Sequence, residues 1–516
     1  METSNRASIL VLVVAVLCFA PFAAAQEGPS ADVISIDAIR GHVFFLACDA
    51  LEGRYVGSPG YEVAARYGES QFKSAGVEPV VPGAAGYSYL QEVPVLRRRV
   101  SERISLTVTT PRGSSTFVEG EEFKWFQGEM FPWQDRAFRV VFVGYGISEP
   151  SHGWDDLEGL DVHGKIVLLM MGAPTREGQP VLPESVHALY APPSAVFRKM
   201  ITMLVKGAAG IFVIPDETLM AGWETLDSKA ATPQFEYDNA ALGSIHIPLL
   251  CPMKPEVAEA IFADQKRVPP GMGHLGDEST DRFELKDVLL RLQGSFTQER
   301  IPTYNVAGVV YGSDPALRDE YVIVTAHLDS TAPREIGEIN NGADDNASGC
   351  AGLMEIARAV ALSPPRRSVV FVLLSGEEAA CIGSRHLVSD CPVPLDKIVA
   401  NVNMDMIGRS DTASQADRSH YAIDSEKITP AFTDLIREVN ARTIRWPLKY
   451  ESPVGTSDNL MFHAVGIPAV SFYSGHHEDV NRPTDDPEKI DYEKAQKISQ
   501  LVYEVTMEVG NRQVLW

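Results

Sequence analysis

Two nearly continuous apolar runs in the last third of the 516-residue chain constrain its fold more than any other feature. YVIVTAHLD covers residues 321–329, and SVVFVLLSGEE covers residues 368–378. Strands that are buried on both faces have this composition. Because residues 347–363 between them have helical apolar spacing, the order predicts a mixed, mainly parallel α/β sheet flanked by helices.

Further elements of the same core are predicted towards both ends of the chain. Residues 34–76 have the pattern of two helices around a Gly/Pro turn, and residues 491–510 that of a closing helix. Residues 104–126 alternate between apolar and polar side chains, as a pair of strands does. We assign residues 31–120 and 290–510 to one core.

An inserted, β-rich module is predicted between residues 120 and 285. The runs VVFVGYGI, GKIVLLMMG and IFVIPDE have the composition of short buried strands, and SAVFRKMITMLVKGAAG, between the last two, that of a helix. Residues 268–282 are rich in Gly, Pro and charged side chains, so we expect them to form an exposed linker.

Residues 1–25 are predicted to be a secretory signal peptide that the mature protein lacks. Arg6 gives a basic start, the apolar run that follows is too short to span a bilayer, and three alanines at 23–25 offer a cleavage site. We therefore expect a secreted or periplasmic protein without a membrane anchor. Its net charge of 45 − 69 = −24 repels phosphate backbones, so nucleic acid is not an expected partner.

The cysteine pattern is that of scattered thiols. Beyond the signal peptide the cysteines form no CxxC pair, which disfavours a zinc site built from thiolates. Spacing alone leaves open whether Cys381 and Cys391 form a disulfide.

Polar side chains gather where the predicted strands end. In open α/β sheets, ligands bind in the crevice outside the carboxyl ends of the strands. Carboxylates delivered there by successive buried strands would repel one another unless a cation lay between them. One histidine with several carboxylates is a ligand set for zinc or manganese. The residues concerned are His327 and Asp329, Asp344 and Asp345, Glu377 and Glu378, and Asp405.

These motifs resemble those of the co-catalytic di-zinc aminopeptidases, a family with secreted bacterial leucyl aminopeptidases as members and glutamate carboxypeptidase and transferrin receptor as relatives. The resemblance is carried by TAHLDS, NNGADDNASG, VVFVLLSGEEAACIGS and NVNMDMIGR, in this order. It covers residues 31–120 and 290–510 and implies a zinc exopeptidase core. The inserted module, with FVGYGI, GLDVHGKIVLLM and KGAAGIFVI, is similar to the protease-associated domain of many members.

The resemblance implies two zinc ions and a set of ligands for them. His327 and Asp405 would bind one zinc, and Asp345 would bridge both ions. Glu378 would bind the second zinc. The last ligand of the family is a histidine, and the matching position of this chain holds Asn481.

Two further residues have implied roles in the chemistry. Glu377 would be the general base that takes a proton from the attacking water and passes it to the leaving amine. Asp329 would hydrogen-bond His327 and fix its tautomer. That role is physically reasonable, because residues i and i+2 of a strand share a face.

The chain departs from the family pattern at one end of the site. Asn481 stands at the histidine position, and Val480 stands where the family has an aromatic residue. Three interpretations stay open: Asn481 binds the second zinc weakly through its amide oxygen, His477 or His476 replaces it, or the second zinc is lost. The last of these would leave a weakly active enzyme or a binding protein.

From these observations we expect a secreted zinc-dependent exopeptidase, foremost an aminopeptidase that acts on the N-termini of peptides or proteins. The first alternative is a non-catalytic or weakly active metal-binding relative on the same fold. The second is a related zinc carboxypeptidase or glutaminyl cyclase. A carboxypeptidase needs a basic side chain for the substrate carboxylate, and Arg334, Arg385 and Arg409 lie near the motifs. Side-chain preference, oligomeric state and the role of the module, as a lid or as an appendage, are left open.

Overall fold

A computed structural model describes most of the chain. The described residues are 31–126, 136–214, 217–226, 228, 230, 233–238, 248–265, 282–332, 337–423, 430–450 and 457–515. The predicted signal peptide at residues 1–25 lies outside them, as do Arg334 and all but the last residue of the predicted linker at 268–282. Within these ranges, we find no helix with the length and apolarity that a membrane crossing requires.

The helical patterns predicted in the core at residues 34–76, 347–363 and 491–510 are found as the helices Ile36–Leu46, Pro59–Ala75, Gly349–Leu362 and Tyr492–Asn511. In chain order the helices are α1 (Ile36–Leu46), α2 (Pro59–Ala75), α3 (Glu184–Tyr190), α4 (Val196–Val205), α5 (Glu217–Ala221), α6 (Pro255–Phe262), α7 (Gly349–Leu362), α8 (Ile382–Ser389), α9 (Pro430–Arg442), α10 (Asn459–Ala464) and α11 (Tyr492–Asn511). The ends of α2 show the local chemistry: the Ser58 side chain accepts the N–H of Tyr61 at 3.1 Å, and Gly76 ends the helix at a φ of 77°.

Each of the runs predicted as strands, at residues 104–126, 321–329 and 368–378 and in the inserted module, contains strands of the structure. In chain order they are β1 (Glu78–Pro79), β2 (Val81–Gly83), β3 (Gly86–Ser88), β4 (Leu90–Val100), β5 (Ser105–Thr110), β6 (Gly113–Val118), β7 (Ala137–Phe142), β8 (Ser148–Glu149), β9 (Trp154–Asp155), β10 (Ile166–Met170), β11 (Thr175–Arg176), β12 (Gln179–Pro180), β13 (Gly210–Ile214), β14 (Gln234–Tyr237), β15 (Leu249–Pro252), β16 (Phe283–Gln293), β17 (Phe296–Val310), β18 (Tyr321–His327), β19 (Ser368–Leu374), β20 (Ile398–Asp405), β21 (His420–Ile423), β22 (Leu448–Lys449) and β23 (Ala469–Tyr473).

The larger sheet has the strand order β14–β4–β17–β19–β18–β20–β23–β21–β22, with β1 beside β17. Its central strands β19, β18, β20 and β23 are parallel to one another, whereas β17 and β21 pair antiparallel with β19 and β23. The predicted mixed α/β sheet flanked by helices is therefore confirmed. Because the central strands are parallel, their carboxyl ends lie at one edge of the sheet.

Both faces of this sheet are covered, which explains the continuous apolar runs. Val322 and Val324 of β18 pack into a core cluster with helices α1, α2, α7, α9 and α11. Ile323, between them, points to the opposite face and packs with residues of α8 and α10. A strand with helices on both sides has no solvated face, so it needs apolar side chains at successive positions.

A second sheet forms an inserted unit, with the strand order β15–β13–β10–β7–β16–β5–β6. The hairpin β5–β6 pairs with β16, so this sheet runs from Ser105 to Gln293. The predicted boundaries at residues 120 and 285 are therefore too narrow. The alternation at 104–126 correctly predicts a strand pair, but only the tertiary pairing shows which sheet the pair joins.

Two long strands connect the inserted unit to the larger sheet. β4 and β17 pair antiparallel along their length and end where the N–H of Ser101 donates to the carbonyl oxygen of Ser295 at 2.8 Å. We call residues 101–295 the inserted unit. One of its strands, β14, returns to the larger sheet and pairs with β4. Its assignment as a protease-associated domain stays a prediction.

All cysteines of the described residues are free thiols. Cys381 precedes α8 and Cys391 follows it, so the helix separates the two residues and the disulfide that spacing left open is not formed. Burial raises the pKa of Cys391 to about 11 and raises the pKa of Cys381 well above its usual value. Both thiols are therefore protonated near neutral pH.

A buried ion pair joins α1 to α7. The Glu355 carboxylate accepts hydrogen bonds from Arg358 at 2.7 and 3.0 Å, and one oxygen lies 3.7 Å from Nε2 of His42. Burial alone would raise the pKa of Glu355, but His42 and Arg358 reverse this and lower it to about 2. A carboxylate with a lowered pKa stabilises the fold above its unfolded pKa of about 4.3, and that contribution is lost as the pH falls.

We therefore predict that Glu355→Gln lowers the free energy of unfolding at neutral pH by about 2–3 kcal/mol. The difference from the unsubstituted protein should be full above about pH 5 and should shrink as the pH falls towards the Glu355 pKa of about 2. Denaturant unfolding at a series of pH values measures it. Glu62→Gln, at an exposed position of α2, is the control. It should change neither the free energy of unfolding nor its dependence on pH. A difference that is independent of pH would contradict the assignment.

Candidate metal centre

Three side chains converge at the carboxyl end of the central strands. His327 ends β18, Asp405 ends the neighbouring strand β20, and Asp345 lies in the loop before α7. Nε2 of His327 is 3.2 Å from Oδ1 of Asp405 and 3.3 Å from Oδ1 of Asp345. One ligand atom from each residue lies within 4.8 Å of the other two. We call these residues the three-residue group.

The electrostatics of the three-residue group favour a bound cation. Burial would lower the pKa of His327, but Asp405 and Asp345 outweigh it and raise that pKa well above its usual value. For Asp405, burial would raise the pKa, and the charge of His327 reverses the direction. Two buried carboxylates beside one imidazole hold either a proton on that ring or a metal ion in its place.

The main chain sets the tautomer of His327. Its Nδ1 lies 3.1 Å from the carbonyl oxygen of Asp329, whereas the nearest carboxylate oxygen of Asp329 is 3.8 Å away. A carbonyl oxygen only accepts hydrogen bonds, so Nδ1 carries a proton and Nε2 of the neutral ring faces the aspartates with its lone pair. The structure thus brings Asp329 to His327 as predicted in position, but the contact is made by its main chain and not by its side chain.

The Asp329 carboxylate anchors the loop after β19 instead. It is fully buried and accepts the N–H groups of Glu377 at 3.1 Å and Glu378 at 3.3 Å. Hydrogen bonds from main-chain N–H groups to a buried carboxylate are strong because they are charge-assisted. Asp329 therefore fixes the backbone from which two of the predicted site residues project.

Glu377 and Glu378 are partly buried. Desolvation raises the pKa of both carboxyls well above the usual value; Asp405 and Asp458 act on Glu377 in the same direction, and Asp345 does so on Glu378. Oε1 of Glu378 is buried and has no hydrogen-bond partner among the described residues. An oxygen in that state is suited to a cation, because a buried carboxylate without a partner costs free energy.

The loop that carries Asp345 is held from the far side by Asp485. The Asp485 carboxylate accepts the N–H of Asp344 at 3.0 and 3.1 Å and the N–H of Asp345 at 3.0 Å. Asn346 joins this loop to the end of β20, since its Oδ1 accepts the N–H of Met406 at 3.0 Å. The candidate ligands Asp345 and Asp405 are thus positioned by one hydrogen-bonded unit.

Asn481 and His477, the candidates for the last ligand, have different surroundings. Nε2 of His477 lies 3.2 Å from Oδ2 of Asp344, and its Nδ1 accepts the N–H of Asp479 at 3.3 Å. Both ring nitrogens are used, so the structure does not bring His477 to the three-residue group. Asn481 has a left-handed backbone with a φ of 58°, and its Oδ1 is buried without a hydrogen-bond partner in the described ranges. The side-chain oxygen of Asn481 is therefore available to bind a metal ion.

His476 and Val480 lie near the same end of the site. The His476 ring stands edge-on to Tyr473 with ring centroids 6.0 Å apart, and the charges of Asp345 and Asp405 act on it. Val480 packs against an apolar cluster that contains Tyr473. An aromatic residue is thus present beside Val480, supplied by β23 rather than by position 480.

Arg54 is a buried residue at this site that sequence reasoning missed. Its guanidinium is fully buried and donates to the carbonyl oxygens of Leu328 at 3.0 Å, Asn341 at 2.6 Å and Gly342 at 3.0 Å, and also to that of Leu46. It thereby ties the end of β18 to the loop of Asp345. In the sequence, Arg54 comes after a helical pattern and nothing distinguishes it from an ordinary charged residue. Only the tertiary structure identifies it.

Asp458 is a second missed residue. It is fully buried at the start of α10, and its Oδ1 accepts the Ser384 hydroxyl at 2.5 Å. Burial raises the pKa of Asp458 to about 7, and Asp329 and Asp405 act in the same direction. An Asp before a helix ordinarily caps the helix N-terminus, but this side chain makes no cap hydrogen bond. From the sequence alone, Asp458 would therefore be assigned as a helix cap and not as a site residue.

The residues fit a metal ion of the zinc type. The three-residue group supplies one imidazole nitrogen and two carboxylate oxygens, a set that zinc accepts. Unpartnered buried oxygens on Glu378 and Asn481 are further candidate donors. These last two donors offer only oxygen, so a second ion there would be held by harder ligands than the first.

Comparison with known proteins adds independent findings. Residues 305–506 match peptidase family M28. The chain is 26% identical over 369 residues to the aminopeptidase YwaD of Bacillus subtilis, covering 67% of this chain and 72% of that protein. It is 30% identical over 121 residues to a probable zinc metalloprotease of Leptosphaeria maculans, covering 23% of this chain and 27% of that protein.

A solved structure shares the fold. The aminopeptidase from Aneurinibacillus sp. strain AM-1 superposes with a TM-score of 0.51 at 19% sequence identity, over 94% of this chain and 96% of that chain. The likeness extends over both sheets of the structure, since nearly the whole chain is covered. At this sequence identity, the structural similarity is evidence for the fold alone.

The contacts of Asp329 generate a prediction about metal binding. Asp329→Asn should keep the affinity for the zinc at His327 within about threefold, because the main-chain carbonyl, not the side chain, partners His327. Amide hydrogen exchange at Glu377 and Glu378 should rise about tenfold, because one charge-assisted acceptor is lost. Competition with a chromophoric chelator and exchange mass spectrometry measure the two effects.

The matched control for this experiment is His327→Ala, which removes a ligand of the three-residue group. It should lower zinc affinity by about a hundredfold or more and leave exchange at the 377–378 amides unchanged. Loss of zinc affinity in Asp329→Asn as large as in His327→Ala would mean that the Asp329 side chain orients the imidazole after all.

Proposed function

We propose that the chain, whose residues 305–506 match peptidase family M28, is a zinc-dependent aminopeptidase that removes N-terminal residues from peptides, with Glu377 as general base. The observation that carries the proposal is the three-residue group, whose ligand atoms lie within 4.8 Å of one another. The group lies at the carboxyl ends of parallel strands, where α/β sheets bind their ligands. A relative that aligns with 67% of this chain is named an aminopeptidase.

Zinc held by these residues would act as a Lewis acid and make a bound water acidic near neutral pH. His327 and Asp405 would hold the first ion, and Asp345 would lie between the two. Glu378 and Asn481 would complete the second site, and their buried, unpartnered oxygens support this. The proposal thus keeps two ions and favours Asn481 over His477 as the last ligand, since both nitrogens of His477 have other partners.

Glu377 is suited to moving a proton. Desolvation raises the pKa of its carboxyl well above the usual value, and a base works best when its pKa approaches the working pH. Glu377 would accept a proton from the attacking water and donate it to the leaving amine. Its N–H bond to Asp329, at 3.1 Å, holds the backbone in place while the side chain does this.

The alternative activities have less support. A carboxypeptidase would need an arginine for the substrate carboxylate, but Arg409 pairs with Asp479 at 3.0 Å, and the Arg385 guanidinium lies over the Tyr237 ring at 5.5 Å. Arg334 is outside the described residues. A glutaminyl cyclase would depend on the histidine that Asn481 replaces. A non-catalytic relative is favoured by Asn481 alone.

We further propose that the mature enzyme is secreted or periplasmic and acts on the free N-termini of peptides or proteins. The first part rests on the signal-peptide pattern of residues 1–25. The second rests on the family and on the name of the aligned aminopeptidase. Localisation of the full-length chain, with residues 1–25 deleted as control, tests the first part.

The purified mature protein should hydrolyse unblocked peptides and leave N-acetylated peptides intact, with activity lost on chelation and restored by zinc. Glu377→Gln should lower kcat by about 10²–10⁴-fold, the range for a lost general base, and should keep zinc binding. Absence of cleavage of either peptide by the folded, zinc-loaded protein would favour the non-catalytic alternative. Full activity of Glu377→Gln would remove Glu377 from the mechanism.

Asn481→His tests the second ion. Because an imidazole nitrogen is a stronger zinc donor than an amide oxygen, the variant should bind the weaker of two zinc ions about tenfold or more tightly and should show higher turnover at limiting zinc. Titration with competing chelator gives the stoichiometry and both affinities. His477→Ala is the matched control and should leave both affinities unchanged. An unchanged second affinity in Asn481→His, or its loss in His477→Ala, would contradict the ligand assignment.

A further inference from the structure

Two segments of the inserted unit join apolar clusters that contain residues of the loop after β19, residues 377–381. This loop carries Glu377 and Glu378 and leads directly into α8. One segment is α4, and the other is β14. The two segments are separated in sequence by a stretch of the insertion, yet both contact the same short loop or the helix that follows it.

The contacts of α4 with the cluster that includes the loop are apolar. Ile201 and Leu204 of α4 pack against a buried cluster formed by Cys381, Leu460 and Met461, which Ala380 also joins. Ile201 and Leu204 are one turn apart, so they lie on the same face of α4. The next residue, Val205, is 75% exposed and points away from this cluster.

The β14 side combines apolar and polar contacts. Phe235 and Tyr237 pack against a cluster that contains Ile382, the first residue of α8, and Ala379 of the loop. The Tyr237 hydroxyl lies 2.9 Å from Nδ1 of His386, one turn further along α8. The start of α8 is thereby joined to the inserted unit as well as to its own sheet.

The conformation of the loop explains why it needs support from outside. Ala380 and Cys381 both have left-handed backbones, with φ of 73° and 56°. Non-glycine residues in that region cost free energy and persist only where the surroundings hold them. The N–H of Cys381 donates to the carbonyl oxygen of Glu377 at 2.9 Å, so a change at Cys381 is transmitted to the residue that carries the base.

We propose that Ile201, Leu204 and Phe235 of the inserted unit are positioning residues for Glu377: by packing in the apolar clusters that contain residues 379–382 they hold the loop in its left-handed conformation and the carboxylate in place. This inference rests on the proposed role of Glu377. It gives the inserted unit a part in turnover of the smallest substrates, which a lid that only restricts substrate size would not have.

The test is kcat and KM of Leu204→Ala and of Ile201→Ala with an aminoacyl p-nitroanilide, a substrate too small to need a lid. We expect kcat to fall about tenfold in each variant, because a misplaced catalytic group costs rate without costing binding, while KM and zinc affinity stay within about twofold. Leu204→Met, which refills the volume, should restore kcat. Val205→Ala on the same helix is the matched control and should keep the kcat of the unsubstituted enzyme.

A second measurement does not depend on activity. Amide hydrogen exchange of the peptide covering residues 377–382 should quicken about tenfold in Leu204→Ala and stay unchanged in Val205→Ala, at an unaltered global unfolding midpoint. Unchanged exchange and unchanged kcat in Leu204→Ala and Ile201→Ala would overturn the inference, as would a loss confined to long peptides. If the unsubstituted enzyme cleaves nothing, the proposed function fails; faster exchange would then still report that the inserted unit holds this loop.

Discussion

Mutual repulsion among buried carboxylates at one end of the larger sheet is the constraint on which the rest of the structure depends. Asp329 and Asp458 are fully buried and Asp405 nearly so, and Glu377 and Glu378 stand beside them. Such a group is stable only with compensating charge or hydrogen-bond donors. The protein supplies some of this itself, and the remaining carboxylate oxygens face one another with His327 among them. The repulsion that remains among these oxygens favours the binding of a metal ion.

The compensation comes largely from groups that do not bind the metal. Main-chain N–H groups satisfy Asp329 and Asp485, and the buried Arg54 donates to carbonyl oxygens on both loops of the site. Because each of these hydrogen bonds has a main-chain atom as donor or acceptor, they position Asp345 and His327 without occupying the side-chain atoms of the three-residue group. This arrangement leaves the side-chain oxygens for ions and uses main-chain atoms for support.

The inserted unit extends this support to the base-bearing loop. The chain leaves the larger sheet through β4 and returns through β17, so the inserted unit could have been independent of the site. Instead, α4 and β14 join the apolar clusters that contain residues 379–382. The loop is short and includes two non-glycine residues with positive φ, so its own hydrogen bonds are not its sole restraint. The larger sheet and the inserted unit therefore meet at residues 379–382, which directly follow the loop residues Glu377 and Glu378.

The sequence by itself determined the sheet class, four of the helices that flank the core, and the strand ends that bring His327 and Asp405 together, because apolar runs and helical spacing are local patterns. Tertiary structure alone decided four matters. It assigned the hairpin at 105–118 to the inserted sheet; it gave the contact with His327 to the main chain of Asp329; it paired His477 with Asp344; and it buried Arg54 and Asp458 at the site. Each depends on which surfaces meet across long sequence separations, and no local pattern encodes that.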